Sequence, residues 1–195
     1  ALSPEPVISA REVERELRSS TRAVAGEREF EAEIEALNPA VGVCLGDSFH
    51  DADGEARLSR DDSRRIATLG SGRTLVWIAG NHDGEVPFSL AGETADEVSI
   101  GGLILRHEPL SGAQDGEAAG HLHPCAKVSH RGVTVRRRCF LTDGTRIVLP
   151  AFGAFTGGLN VMDVAYTALF STPPIAAALG RDRVHAVGWK SLRPD

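Results

Sequence analysis

The chain has 195 residues, of which 42% are hydrophobic and 25% charged, and its formal net charge is −6. That length supports one domain with a real core and is short for two, and the acidic balance excludes a protein held on nucleic acid by bulk positive charge. The three cysteines, odd in number and widely spaced, make no disulfide framework and fit a reducing cytoplasm. No apolar run approaches the roughly 18 residues of a membrane span, and the N-terminal Ala1-Leu-Ser-Pro-Glu-Pro6 lacks the charged and apolar regions of a signal peptide. The expectation is a single cytoplasmic domain over 1–195 that does not engage a membrane.

In chain order, Ser9 to Leu37 is rich in Glu, Arg and Ala and predicts helix, broken near Gly26 and ended by Asn38-Pro39. Val41 to Leu45 is a short apolar run that predicts a strand buried on both faces. Ser59 to Leu69 predicts a helix, with Ser59 as N-cap, acidic residues in the first turn and Gly70 just past the end. Thr74 to Ala79 predicts a second buried strand. Beyond it the pattern changes to hairpins: Glu97 to Ile100 and Leu103 to Arg106 around Gly101-Gly102, a strand at Val133 to Val135, and Cys139 to Thr142 with Ile147 to Leu149 around Asp143-Gly144. Helical crossovers followed by hairpins predict an α/β (α+β) fold, a mixed sheet or two-sheet sandwich flanked by helices.

The polar residues that chemistry could use gather in four places: Gly46-Asp-Ser-Phe-His50, Gly80-Asn-His-Asp83, His107, and Gly120-His-Leu-His123. Each follows an apolar run or predicted strand, where ligand sites of open α/β sheets lie. Singly these are weak: an Asp after a strand is commonly a turn former, and a lone His is commonly a satisfied polar residue, the reading given to His130 and His185. His-x-His on a strand would set both imidazoles on one face, as chelation needs. Together, imidazole, carboxylate and amide oxygen make a donor set suited to Mn, Fe, Zn or Ni, and the absence of cysteine argues against a closed structural zinc site.

In this order the motifs resemble the calcineurin-like metallophosphoesterase superfamily, whose fold is a β-sandwich of two mixed sheets with flanking helices. The resemblance implies a divalent transition metal, a dinuclear Mn centre above all. It implies Asp47 as the bridging ligand, Asn81, His107 and His121 as ligands of one metal, and His123 as a ligand of the other. It further implies His82 as a phosphate-contacting general acid, with Asp83 or His50 orienting it. His50 also has the plain reading of a surface loop residue. The superfamily opens with an Asp-x-His on a first strand, and no Asp precedes Asp47 here; the passage from Ser3-Pro-Glu-Pro6 into a helix carries the expectation of residues upstream of this chain.

A narrower resemblance rests on Gly46-Asp-Ser-Phe-His-Asp51, Trp77-Ile-Ala-Gly-Asn-His-Asp83, Arg106-His-Glu-Pro109, Gly120-His-Leu-His-Pro124, Arg136-Arg-Arg-Cys-Phe140 and Leu149 to Asn160. These resemble the bacterial ligase-associated DNA damage response endonucleases. That family implies DNA or RNA as substrate, and a DNA ligase, a helicase and an exonuclease of a repair cluster as associates. Lys127, Arg131, Arg136 and Arg138 are the expected nucleic-acid contacts, set against the reading of Arg136 to Arg138 as a solvated strand edge. Phe152, Phe155 and Leu159 read as core. The implied chemistry is hydrolysis of a phosphodiester by metal-activated water. A phosphatase or cyclic-nucleotide phosphodiesterase on the same scaffold, and a degenerate partner-binding module, are the competing readings.

Overall fold

The computed structural model describes residues 31–48, 60–82, 90–152 and 156–195. Two sheets are present among the described residues. Strands β1 (Val41–Cys44), β2 (Thr74–Ile78) and β3 (Glu93–Ala95) form one, in that order and parallel throughout. The other contains β4 (Glu97–Ile100), β5 (Leu103–Arg106), β6 (Glu117–Ala119), β7 (Pro124–His130), β8 (Val133–Thr142), β9 (Ile147–Val148) and β10 (Leu159–Asn160), in the order β10-β7-β8-β9-β6-β5-β4. There β11 (Ile175–Leu179) pairs with β8, and β12 (Val184–Gly188) with β11. This second sheet mixes parallel and antiparallel pairs, so the architecture is the expected mixed α+β one.

A helical segment at 31–37 stops before Asn38, whose φ of 42° leaves the helical region ahead of Pro39. Helix α1 (Arg60–Leu69) ends at Gly70; Arg73 Nη1 then donates to the Leu69 carbonyl at 2.6 Å, closing the C-terminus. Ile66 and Leu69 of α1 pack with Cys44 against Leu75, Trp77 and Leu90. The larger core lies in the second sheet, where Cys139, Leu141, Val148, Val161, Ala176 and Leu192 are sealed around Tyr166.

The hairpin β4–β5 turns on Gly101 and Gly102, with φ of 58° and 87°. Two successive positive φ values match the right-handed twist of the strands, and glycine adopts them without a Cβ penalty. Three expectations are corrected. The strand at Val41 is not buried on both faces: β1 is an edge strand among the described residues, and Val41 is exposed. The segments at Val133 and Cys139 are one ten-residue strand, β8, which pairs with β7 in its first half and with β11 and β9 in its second; the arginine run hides its continuity. Phe152 is exposed, not core, and Phe155 lies outside the described residues. No helix among the described residues is long and apolar enough to cross a membrane.

Candidate metal centre

Two parallel strand pairs deliver the polar residues to one place. β1 and β2 run parallel and lead into Asp47 and Asn81; β5 and β6 run parallel and lead into His107 and His121. Parallel neighbours end on the same side, so each pair places two side chains together at its carboxyl edge. The two edges are joined directly. His107 Nδ1 lies 2.8 Å from the Leu45 carbonyl oxygen beyond β1, and the Gly120 N–H donates to the His107 carbonyl at 3.0 Å.

A carbonyl can only accept, so Nδ1 of His107 carries the proton and Nε2 faces the site. Nε2 meets Asn81 Oδ1 at 2.9 Å, His121 Nδ1 at 3.1 Å and Asp47 Oδ2 at 3.4 Å. One proton on Nε2 would point at only one of these three, whereas a cation among them accepts a lone pair from each. Ligand atoms of Asp47, His107 and His121 all lie within 4.8 Å of one another, and the rings of His107 and His121 meet edge to face with centroids 4.9 Å apart. The residues therefore fit a metal ion by donor chemistry and by convergence.

The backbone is distorted to make this arrangement. Among the described residues, five other than glycine have positive φ, and three of them are Asp47 at 50°, His121 at 59° and His123 at 47°. Such conformations cost on the order of 1–3 kcal/mol each and gather at functional sites. They also correct the expectation that His121 and His123 share a strand face: both lie in the link between β6 and β7. The Leu122 N–H reaches back to the Gly120 carbonyl at 2.7 Å, folding a tight turn at His121. His121 thus points at His107 through a turn, not through strand alternation.

His123 stands outside the tight triad but within its field. Burial pushes its pKa down, Asp47 opposes this, and His121, His107 and Arg138 add to it. His82 is exposed, and its backbone N–H donates to Asp47 Oδ1 at 2.9 Å. His50 and Asp83 lie outside the described residues.

The basic residues follow the β7–β8 hairpin. Lys127 opposes Arg136 and Cys125 opposes Arg138, so Lys127, Arg136 and Arg138 share one face of the ribbon. Arg131 sits at the distal turn. Arg138 donates to the carbonyls of Ala151 at 3.0 Å and Thr156 at 2.8 Å. Arg136 donates to the Gly158 carbonyl at 2.5 Å, and Asp195 lies 3.4 Å from it and 3.8 Å from Lys127. Asn81 and His107 border a cleft of about 330 Å³ that also presents Asp96, Glu97, Arg106 and Glu108.

Sequence reasoning missed Leu45, whose carbonyl sets the His107 tautomer, and Glu117 and Arg146, which are buried behind the centre. A backbone acceptor leaves no trace in residue identity. Glu117 and Arg146 sit among strand and turn residues with no motif around them, so no signal marks them.

No family model matches the chain, and no curated protein matches it. Among solved structures, the nuclease MPE of Pseudomonas putida is similar, with a TM-score of 0.63 and 25% sequence identity, covering 85% of this chain and 78% of that one.

Proposed function

We propose that the chain is a metal-dependent phosphodiesterase that cleaves nucleic acid, allied to the ligase-associated DNA damage response endonucleases of the calcineurin-like superfamily. The observation that carries this reading is the meeting of Asp47, Asn81 and His121 around Nε2 of His107. The similarity to a nuclease supports nucleic acid as the substrate class.

Asp47, Asn81, His107 and His121 would hold one ion, and His123 with Asp47 would serve a second; Mn is the first candidate. Such ions, when bound, neutralise phosphate oxygens and make water a better nucleophile. The chain's own residues do the rest. The His82 N–H fixes one oxygen of Asp47, leaving the exposed imidazole to meet a phosphodiester and donate a proton to the departing oxygen. Asp83 or His50 is proposed to orient it. Net charge among the described residues favours one approach: the cleft sets Asp96, Glu97 and Glu108 against Arg106 alone and repels a polyanion, and the β7–β8 face sets Lys127, Arg136 and Arg138 against Asp195 and attracts one.

The test measures metal content by mass spectrometry together with cleavage of a DNA oligonucleotide and of bis-p-nitrophenyl phosphate. The expected result is bound transition metal, loss of both activities in EDTA, and recovery with Mn. Activity unchanged after exhaustive chelation refutes the proposal. Turnover of small phosphate esters with an intact oligonucleotide returns the site to a phosphatase or cyclic-nucleotide phosphodiesterase.

A further inference from the structure

Behind the centre lies a charge cluster with no part in metal ligation. Glu117 on β6 is 1% exposed, Arg146 ahead of β9 is 3% exposed, and Arg106 at the end of β5 is 9% exposed. Charged side chains are almost never buried this fully unless paired. Arg146 Nη2 lies 2.8 Å from Glu117 Oε2, and Arg106 Nη1 lies 3.5 Å from Glu117 Oε1. Arg106 is also tied to Glu97, with Nη2 donating at 2.7 Å.

The same groups grip one residue's backbone from both sides. Glu117 Oε1 accepts from the Leu110 N–H at 3.0 Å, and Arg146 Nη2 donates to the Leu110 carbonyl at 2.7 Å. Arg146 Nη1 then anchors the pair to the Leu169 carbonyl at 2.7 Å. Arg106 and Leu110 bracket His107, so the ligand-bearing segment is held at each end by Glu117. That carboxylate belongs to β6, the strand that runs into His121.

We propose that Glu117 and Arg146 are positioning residues for His107, clamping the segment 106–110 so that Nε2 stays aimed at the metal. This rests on the metal-centre reading and deepens it. A buried ion pair is a poor source of stability compared with apolar residues of similar size. Here its geometry serves something apolar residues cannot do, which is to hold the N–H and the carbonyl of Leu110 at once. Partners that orient a ligand from behind are worth roughly 10–100-fold in metal affinity.

The test titrates the chelated chain with Mn(II), and records the visible spectrum with Co(II). The double variant Glu117→Leu/Arg146→Met replaces the pair by apolar side chains and leaves Arg106 its partner Glu97. It is expected to melt below wild type while remaining folded, because the Leu110 N–H and the Leu110 and Leu169 carbonyls lose their partners, to bind Mn(II) about 10–100-fold more weakly, and to give a shifted Co(II) band. Wild-type affinity and spectrum in the folded variant overturn the proposal. Should that variant fail to fold, Arg146→Lys decides. It keeps the charge beside Glu117, but one ammonium cannot reproduce the planar fork that reaches both Leu110 and Leu169. Weakened Mn(II) binding in this variant supports the clamp, and wild-type binding overturns it. Leu179→Ala, a core truncation on β11, is expected to lower the melting temperature with metal affinity unchanged; equal loss of affinity there makes the effect one of general destabilisation and overturns the clamp. A wild-type chain that binds neither ion overturns the metal-centre reading itself, a result separate from any variant's.

Discussion

Replacing Gly46 by alanine tests the geometry of the centre with a single methyl group. A Cβ there would sit 2.5 Å from His107 Nδ1, 2.7 Å from His107 Cγ and 2.9 Å from the Gly80 Cα, on a residue with φ of +83°. Gly72 is the matched control, with φ of +78° and no atom within 4 Å of its Cβ position. The conformational cost is shared by both and nets about 1 kcal/mol, left-handed strain being partly offset by a stiffer unfolded chain. Gly46→Ala adds overpacking against an imidazole and a backbone carbon, worth about 1–3 kcal/mol. The expected losses are therefore about 1 kcal/mol for Gly72→Ala and about 2–4 kcal/mol for Gly46→Ala. The clash also falls on the nitrogen that donates to Leu45, so Mn(II) affinity should drop about tenfold or more in Gly46→Ala alone. Urea unfolding of the chelated proteins and calorimetric Mn(II) titration read both quantities. Equal stability loss and equal metal affinity in the two variants would refute the close packing of Gly46, His107 and Gly80.

The site carries three further predictions. His82→Ala retains the N–H that reaches Asp47, so metal content should hold while turnover falls about a hundredfold or more; His121→Ala should lose the metal as well, and loss of metal from His82→Ala would contradict the role assigned. Converting Lys127 and Arg136 together to Gln should weaken oligonucleotide cleavage and spare bis-p-nitrophenyl phosphate. The salt dependence of DNA binding should flatten by about one log–log unit for each phosphate that the variant no longer neutralises; equal loss of activity on both substrates would make the two residues supports of the fold. Burial pushes the His123 pKa below its ordinary 6.5, so the folded state resists protonation there. Its contribution to stability is present above pH 6.5 and is lost as pH falls from that value toward the lowered folded one. The metal-free protein should weaken over that window, apart from the lower one of Asp143, a carboxylate held below its ordinary 3.8 by bonds from Thr145 and Arg146 that outweigh its burial. His123→Asn should flatten the slope in the upper window, and an unchanged pH profile would show that His123 is not the group responsible.

Several elements were legible in the residues because local rules govern them. Asn38-Pro39 ends a helix, Gly70 follows another, and Gly101-Gly102 joins a hairpin, each for a backbone reason confined to a few neighbours. The candidate donor set was legible too, since Asp47, Asn81, His107 and His121 carry their chemistry in their side chains and follow strands. Other features depend on partners distant in sequence. β8 is a single strand because β7, β9 and β11 pair along it, overriding the break its arginines imply. The aim of His121 comes from a left-handed turn, and the tautomer of His107 from the carbonyl of Leu45, 62 residues away. Glu117 and Arg146 become a clamp only once folding sets both against the backbone of Leu110. The sequence by itself determined which atoms this protein can offer to a metal; the tertiary structure alone decided how they converge, because hydrogen-bond direction and burial are properties of groups brought together across the chain.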